Sequence, residues 1–322
     1  MANLKVLRPG PLTTVQDLGR PGHLGDGVSL GGALDRQAAR IANLLIRNPE
    51  TAALLEITLG NAAFQFQDDR VLAWCGAKCQ VEIDGAQVPP GHAIELRGGG
   101  DLTIGPAKPG CRVWLAISGG IEVVPILGSR STDLRASFGG FEGRALRAGD
   151  ELPLGKSSHS SPSGIRVSDW SAPAEWSQTA SRQPCLRVVR GAEWDEFTPT
   201  SQSAFQKNPF TVNPQSDRMG VRLEGAGLAR KEPNERLSEP VAAGTIQVPN
   251  DGGPIILLGD CQTIGGYPKI AHVITVDLPL AAQLCPNDLV SFREVSAAYA
   301  TLLFRARERD LERFRVGLQL RA

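Results

Sequence analysis

The sequence predicts a mainly β protein built as two barrel- or sandwich-like halves, and three observations carry that expectation. Short runs of strand composition recur at spacings near ten residues, Gly and Pro punctuate the chain evenly, and 322 residues exceed what one compact core usually holds. In the first half the strand-like runs are 62–66, 71–74, 79–83, 93–96, 102–104 and 112–117. In the second half they are 186–189, 245–248, 255–258, 273–276 and 289–292.

A turn-plus-strand unit appears three times, as PGHAIEL at 90–96, AGDELPL at 148–154 and PNDLVSF at 286–292. Each opens with a Gly or Asn suited to positive φ and continues in alternation, which fits two β-rich halves. Two segments have helical spacing. Residues 33–50 place Ala38, Ile41, Leu44 and Leu45 on one stripe, with Pro49 as the expected stop. Residues 296–322 mix charges with apolar spacing and predict one or two terminal helices. The Ser-, Pro- and Gln-rich stretch at 161–184 is read as a linker, although Trp170 and Trp176 imply that it lies against something. The expected organisation is an N-terminal half over 1–160, the linker, a C-terminal half over 185–295 and a helical extension over 296–322.

Composition narrows the function classes. Lys plus Arg equals Asp plus Glu at 34 each, so no bulk electrostatic case for nucleic acid arises. No apolar run approaches the roughly 18 residues of a membrane helix, and residues 1–8 lack a signal-peptide core, so a cytoplasmic location is expected. Six scattered cysteines, with Cys75 and Cys79 lacking a second pair or a nearby His, read as buried free thiols rather than a zinc site, and no metal is expected. The four histidines lie far from any nucleophile motif, His159 just before the linker among them, and there is no dinucleotide fingerprint.

Four stretches carry more polar residues than turns require. TTVQDLGRPG at 13–22 sets Asp17 and Arg20 beside two glycines; Arg20 either pairs with Asp17 or faces an anionic ligand. GSRSTDLRASFGG at 128–140 offers Ser129, Arg130, Ser131, Thr132 and Asp133, either as a capped turn or as hydroxyls and amides that cradle an oxyanion. QSDRMG at 215–220 sets Asp217 next to Arg218. LLGDCQTIGGYPKI at 257–270 runs from a buried strand into Asp260, Gln262, Thr263, a double glycine, Tyr267 and Lys269. A lysine there supplies either a solvated turn or a point charge for an anion.

Taken in series, these stretches resemble one family. GPLTTVQDLGRPG at 10–22, GALDRQAARIANLLIRNPE at 32–50, LEITLGN at 55–61, GSRSTDLRASFGGFEGRAL at 128–146, SDRMGVRLEG at 216–225 and the long run 237–292 are similar to the biotin-dependent carboxyltransferase, or allophanate hydrolase subunit 2, family. The stand-alone bacterial members of that family are 5-oxoprolinase C subunits. The resemblance spans about residues 3–295, with local departures at Trp74-Cys75, Cys261 and Ile264.

That resemblance implies a fold of two cyclophilin-like β-barrels. It implies a hydrolase subunit that, with a B-type (kinase-inhibitor-like) subunit and an A-type subunit, cleaves 5-oxo-L-proline to L-glutamate using ATP held on this chain or on a partner. It also leaves open a carboxyltransferase that moves a carboxyl group from partner-borne carboxybiotin to urea or another amide, and a non-enzymatic antagonist of the kinase-inhibitor partner. The residues it points to are Lys269, Asp260 and Arg130 as catalytic groups. Asp17, Arg20, Ser131, Asp133, Asp217, Arg218, Gln247, Gln262, Thr263 and Tyr267 are the substrate contacts. Lys269 and Arg130 would meet the anion, and Asp260 and Gln262 would orient the amide.

Overall fold

The computed structural model describes residues 3–97, 99–157, 164–232 and 236–320. It divides into two compact units, one of Met1–Arg20 with Gly31–Ala180 and the other of Pro21–Leu30 with Ser181–Ala322. His159 lies outside the described residues.

The first unit contains twelve strands among its described residues: β1 (Asn3–Arg8), β2 (Leu12–Gln16), β3 (Leu54–Thr58), β4 (Gly60–Phe66), β5 (Arg70–Gly76), β6 (Val81–Ile83), β7 (Ala86–Gln87), β8 (His92–Leu96), β9 (Gly100–Pro106), β10 (Arg112–Ile117), β11 (Glu151–Pro153) and β12 (Arg166–Ser171). They form two six-stranded sheets, ordered β11-β1-β4-β9-β6-β7 and β12-β8-β5-β10-β3-β2. One continuous core draws Leu4, Phe64 and Ile104 from the first sheet and Leu55, Leu72, Trp74 and Leu115 from the second. The alternation within β1 and β9 explains this, since every second side chain is buried. β10 is buried along its whole length because helix α1 (Arg36–Leu45) covers its other face and that of β5.

Helix α1 forms where the apolar stripe predicts it. The Asp35 carboxylate caps it by accepting from the Ala38 amide at 2.8 Å. Ala38, Ile41, Leu44 and Leu45 are all buried. The helix stops before Pro49, because Arg47 enters the left-handed region at φ 60° and turns the chain.

The segment read as a linker is structured in part. β12 pairs antiparallel with β8, and a short helix α2 (Ala174–Ser177) follows, so Trp170 and Trp176 belong to the first unit. Its Ser and Pro content gives weak strand propensity, which ladder bonding to the edge of β8 outweighs.

The second unit closes into a barrel. After β13 (Cys185–Arg190), α3 (Pro199–Lys207), β14 (Phe210–Val212), β15 (Gly220–Glu224), β16 (Glu239–Pro240), β17 (Thr245–Gln247), β18 (Ile255–Leu257), β19 (Ile264–Gly265), β20 (Lys269–Val273), α4 (Leu278–Ala282) and β21 (Leu289–Glu294), the chain ends in α5 (Ala297–Gln319). The barrel runs β13-β20-β17-β18-β15-β14-β21, and β21 pairs parallel with β13 to close it. β16 and β19 form a separate two-stranded ribbon. Thr198 caps α3, Pro199 fits its first turn, and Phe205 stacks on Phe292 with centroids 4.5 Å apart. Such a pair contributes about 0.5–1.5 kcal/mol beyond its burial.

The fold class is therefore as the sequence predicts: mainly β with few helices, including a closed seven-stranded barrel. The Gly91, Gly149 and Asn287 positions of the recurring turn-plus-strand unit all have positive φ. One strand expectation fails. Residues 275–277 form a 3-10 turn, and the strand is Lys269–Val273 instead. Asp277 is buried there and binds the Arg187 backbone amide and guanidinium, so a polar anchor breaks an otherwise apolar run. The terminal extension is one 23-residue helix, with Leu311 and Leu318 buried.

Candidate functional site

In the first unit, Asp17 follows β2 and its side chain is almost fully buried. Its carboxylate accepts four hydrogen bonds: from the Ser129 and Ser131 hydroxyls at 2.6 Å each, from the Arg130 amide at 2.6 Å and from the Gly19 amide at 2.8 Å. The donors that composition suggested for an external oxyanion thus surround an internal carboxylate. Arg20 is fully buried, donates to the Ser131 carbonyl and lies 4.6 Å from the Phe138 ring centroid. Gly139, at φ 70°, keeps this close: a Cβ there would stand 2.2 Å from the Ser131 carbonyl oxygen. Asp133 caps its own turn through the Arg135 and Ala136 amides. The Arg130 guanidinium is half-exposed and bonded to the Val123 carbonyl and to Glu122 at 3.0 Å. Asp17, Arg20, Arg130, Ser131 and Asp133 are thereby brought into one locality.

The remaining sequence-derived candidates sit in the second unit, in three arrangements. Arg218 and Asp260 form a buried bidentate pair at 2.7 and 3.0 Å. Asp217 is exposed and caps the 217–220 turn through the Met219 and Gly220 amides. The neighbours Asp217 and Arg218 are therefore not paired as a surface ion pair would be.

The second arrangement surrounds the double glycine. Gln247 is buried at the end of β17, donates to the Tyr267 carbonyl at 3.1 Å and accepts weakly from Gln262 at 3.4 Å. A Cβ on Gly265 would come within 2.8 Å of the Gln247 side-chain nitrogen, so a larger residue there would shift that amide. Thr263 is half-buried and binds the Val241 amide through its carbonyl.

The third arrangement contains Lys269, the first residue of β20. Its backbone amide donates to Glu193 at 2.8 Å, and its ammonium contacts Glu239 and lies 3.6 Å from Glu193. Glu193 is buried and also accepts from Arg236 at 3.1 Å, while Arg236 binds Glu196 at 2.6 Å. The Lys269 ammonium holds the Glu239 carboxyl below the usual glutamate range. Hydrogen bonding to Glu196, reinforced by Glu193 and Glu239, raises the Arg236 guanidinium above its ordinary value. Both shifts favour the charged form, so Glu239 and Arg236 are ionised at neutral pH.

Arg236, Tyr267 and Pro268 line a cleft of about 580 Å3 together with Arg230, Asn250 and an apolar floor of Leu228 and Val248. Tyr267 is 48 % exposed at its edge. Positive charge, amide and hydroxyl groups over an apolar floor suit a small, flat, anionic amide. Glu193 links the cleft wall, through Arg236, to Lys269. Sequence reasoning misses Glu193, Glu196, Arg236 and Glu239. They are spread over 47 residues with no local pattern, and only the charge-dense run ARKEPNER at 229–236 hints at them. Among the described residues no cluster of His, Cys, Asp and Glu could hold a metal ion.

The description "Carboxyltransferase domain, subdomain A and B" matches residues 26–294. The chain is 42 % identical to the 5-oxoprolinase C subunit of Escherichia coli over 295 residues, 91 % of each chain. It is 38 % identical to the protein of the same name from Haemophilus influenzae, over 94 % of each. The solved urea carboxylase of Kluyveromyces lactis superposes with a TM-score of 0.89 at 30 % identity, over 97 % of this chain and 29 % of that one. With two sequence relatives matched nearly end to end and a shared fold, the chain belongs to the carboxyltransferase domain family of subdomains A and B.

Proposed function

We propose that the chain is the C subunit of an ATP-dependent 5-oxoprolinase, a hydrolase complex that opens 5-oxo-L-proline to L-glutamate together with A- and B-type subunits. The observation that carries this reading is the 42 % identity to a protein of that name across 91 % of both chains. The cleft supports it chemically. A lactam bearing a carboxylate would set that carboxylate toward Arg236 and Arg230, and its amide toward Asn250 and Tyr267. Lys269, held by Glu193 and Glu239 behind the cleft wall, would position Arg236 through their shared Glu193. Gln247 and Gln262 would support the wall behind Tyr267.

In this reading ATP activates the lactam by phosphorylating its carbonyl oxygen, since an amide resists water at neutral pH. ATP is assigned to a partner subunit. The donors at 129–131 that composition suggested for an oxyanion are taken by Asp17, and the Arg130 guanidinium is engaged by Glu122. Asp17, Arg20, Ser131 and Asp133 would hold loops of the first unit, and Asp217 and the Arg218–Asp260 pair loops of the second, rather than touching substrate. The test is co-expression with the A- and B-type subunits, followed by measurement of glutamate and ADP on adding 5-oxoproline. Both products in equal amount are expected; intact complex without glutamate would overturn the reading.

A second reading, carboxyl transfer from partner-borne carboxybiotin to urea, is favoured by the likeness to the Kluyveromyces lactis urea carboxylase. Urea-dependent fixation of labelled bicarbonate in the presence of a biotinylated partner would select it.

A further inference from the structure

The ribbon of β16 and β19 is a sheet separate from the barrel of the second unit, and it continues directly into the cleft beside Lys269. Arg236 leads into β16, Gly266 and Tyr267 follow β19, and all three line that cleft. Two paired strands of two residues each have little stability of their own. The ribbon is held by tethers instead. The Val241 amide donates to the Thr263 carbonyl at 3.0 Å, and the Lys269 ammonium donates to the Glu239 carboxylate. Gly266 is packed close, since a Cβ there would stand 3.3 Å from the Arg236 carbonyl oxygen. From Lys269 the ionic contacts run on to Glu193 at 3.6 Å, and from Glu193 to Arg236 at 3.1 Å. Glu239, Lys269, Glu193 and Arg236 thus make the ribbon and the cleft wall one ionic unit.

What these tethers hold in place is apolar and open to solvent. Leu237 is 90 % exposed and Ile264 57 %, while Tyr267 and Pro240, the partner of Ile264 in the ribbon, are exposed as well. Among the described residues no large apolar side chain is more exposed than Leu237. One exposed leucine is ordinary, but four apolar residues on and beside one short ribbon, at the rim of a cleft, mark an interaction surface. The cleft gives the chemistry of the visitor. Its lining includes Arg230 and Arg236 and no carboxylate, so it complements an anionic group brought from outside. In the reaction proposed above that group is the phosphoryl donor, held on a partner, and it must come into contact with the bound lactam. A partner that delivers it has to seat on the rim.

We propose that the β16–β19 ribbon is the docking site of the phosphoryl-donating partner subunit, which covers Leu237, Ile264 and Tyr267 with an apolar patch of its own. The proposal rests on the reading of the chain as a 5-oxoprolinase subunit. Its test is the affinity of the purified full chain for the purified A- and B-type subunits, singly and together with ATP, beside the assay for glutamate and ADP. The double variant L237D/I264D changes two exposed positions and should unfold in urea at the parent's midpoint. Its affinity for the partner should fall about a hundredfold or more, and that of L237D alone about tenfold. Turnover of the double variant should be lost at subunit concentrations below its raised Kd and return above it. A double variant that binds the partners as tightly as the parent overturns the docking site and leaves the reaction standing. A parent complex that yields no glutamate, but comes apart in the double variant, overturns the reaction and leaves the docking site standing. A parent chain that binds neither subunit overturns the docking site. So does a dimer of the chain alone that the double variant dissolves while partner binding is unaltered, since the ribbon then belongs to a second copy.

Discussion

The Asp17 cluster of the first unit and the Lys269 network of the second are made from the same materials, acids and cations beside glycines, and they come out opposite. Asp17 is almost fully buried and its oxygens are filled by four donors from its own chain. Lys269 has a side chain 17 % exposed, shares its charge among two glutamates and sits behind the wall of an open cleft. A charged group whose bonding capacity is used up internally holds loops together. One left partly solvated beside a cavity retains capacity for a ligand. The Arg218–Asp260 pair shows that the second unit contains a strut of the first kind as well.

The contrast can be broken from either side. The largest effect is expected at Asp260: D260A strands the Arg218 guanidinium in the interior and should cost about 3–5 kcal/mol in urea unfolding. The double variant R218M/D260L should recover most of that loss, and a harmless D260A would show that the pair is no strut. Next comes D17A, which leaves two hydroxyls and two amides without their acceptor and should cost about 3 kcal/mol, with D17N intermediate. K269M should behave the other way. Its stability should stay within about 1 kcal/mol of the parent. The turnover of the assembled complex should fall about a hundredfold, equivalent to about 2.7 kcal/mol of barrier. Turnover within twofold of the parent would remove Lys269 from the site.

The smallest effect is in pH dependence. The Lys269 ammonium lowers the Glu239 carboxyl in the folded protein, so this interaction stabilises the fold above the ordinary glutamate value of about 4.3. The contribution disappears as pH falls through the lower, folded value. The stability difference between the parent and K269M should therefore be present at neutral pH and vanish in strong acid. A difference that persists there would show that Lys269 acts by packing alone.

Legibility in the sequence follows the range of the interactions. Strands with plain composition or alternation are legible, and the run at 112–117 coincides with β10 to the residue. The short edge and ribbon strands such as β7, β16 and β19 carry no pattern to read. β12 is hidden by Ser and Asp because its ladder partner lies some 75 residues away on β8. The glycine-flanked polar stretches are visible as unusual, but their partners are not. Nothing local to residue 17 tells of hydroxyls at 129 and 131, nor does residue 269 announce Glu193.

The sequence by itself determined the β-rich class, a helix within 33–50, the positive-φ turns and, through the series of motifs, the family. These rest on short-range periodicity and on backbone preferences that each residue carries with it. Only the tertiary structure decided which charges are consumed and which remain available. That outcome depends on burial and on donors brought together from distant segments, and a charge acquires its role from the capacity its neighbours leave unfilled.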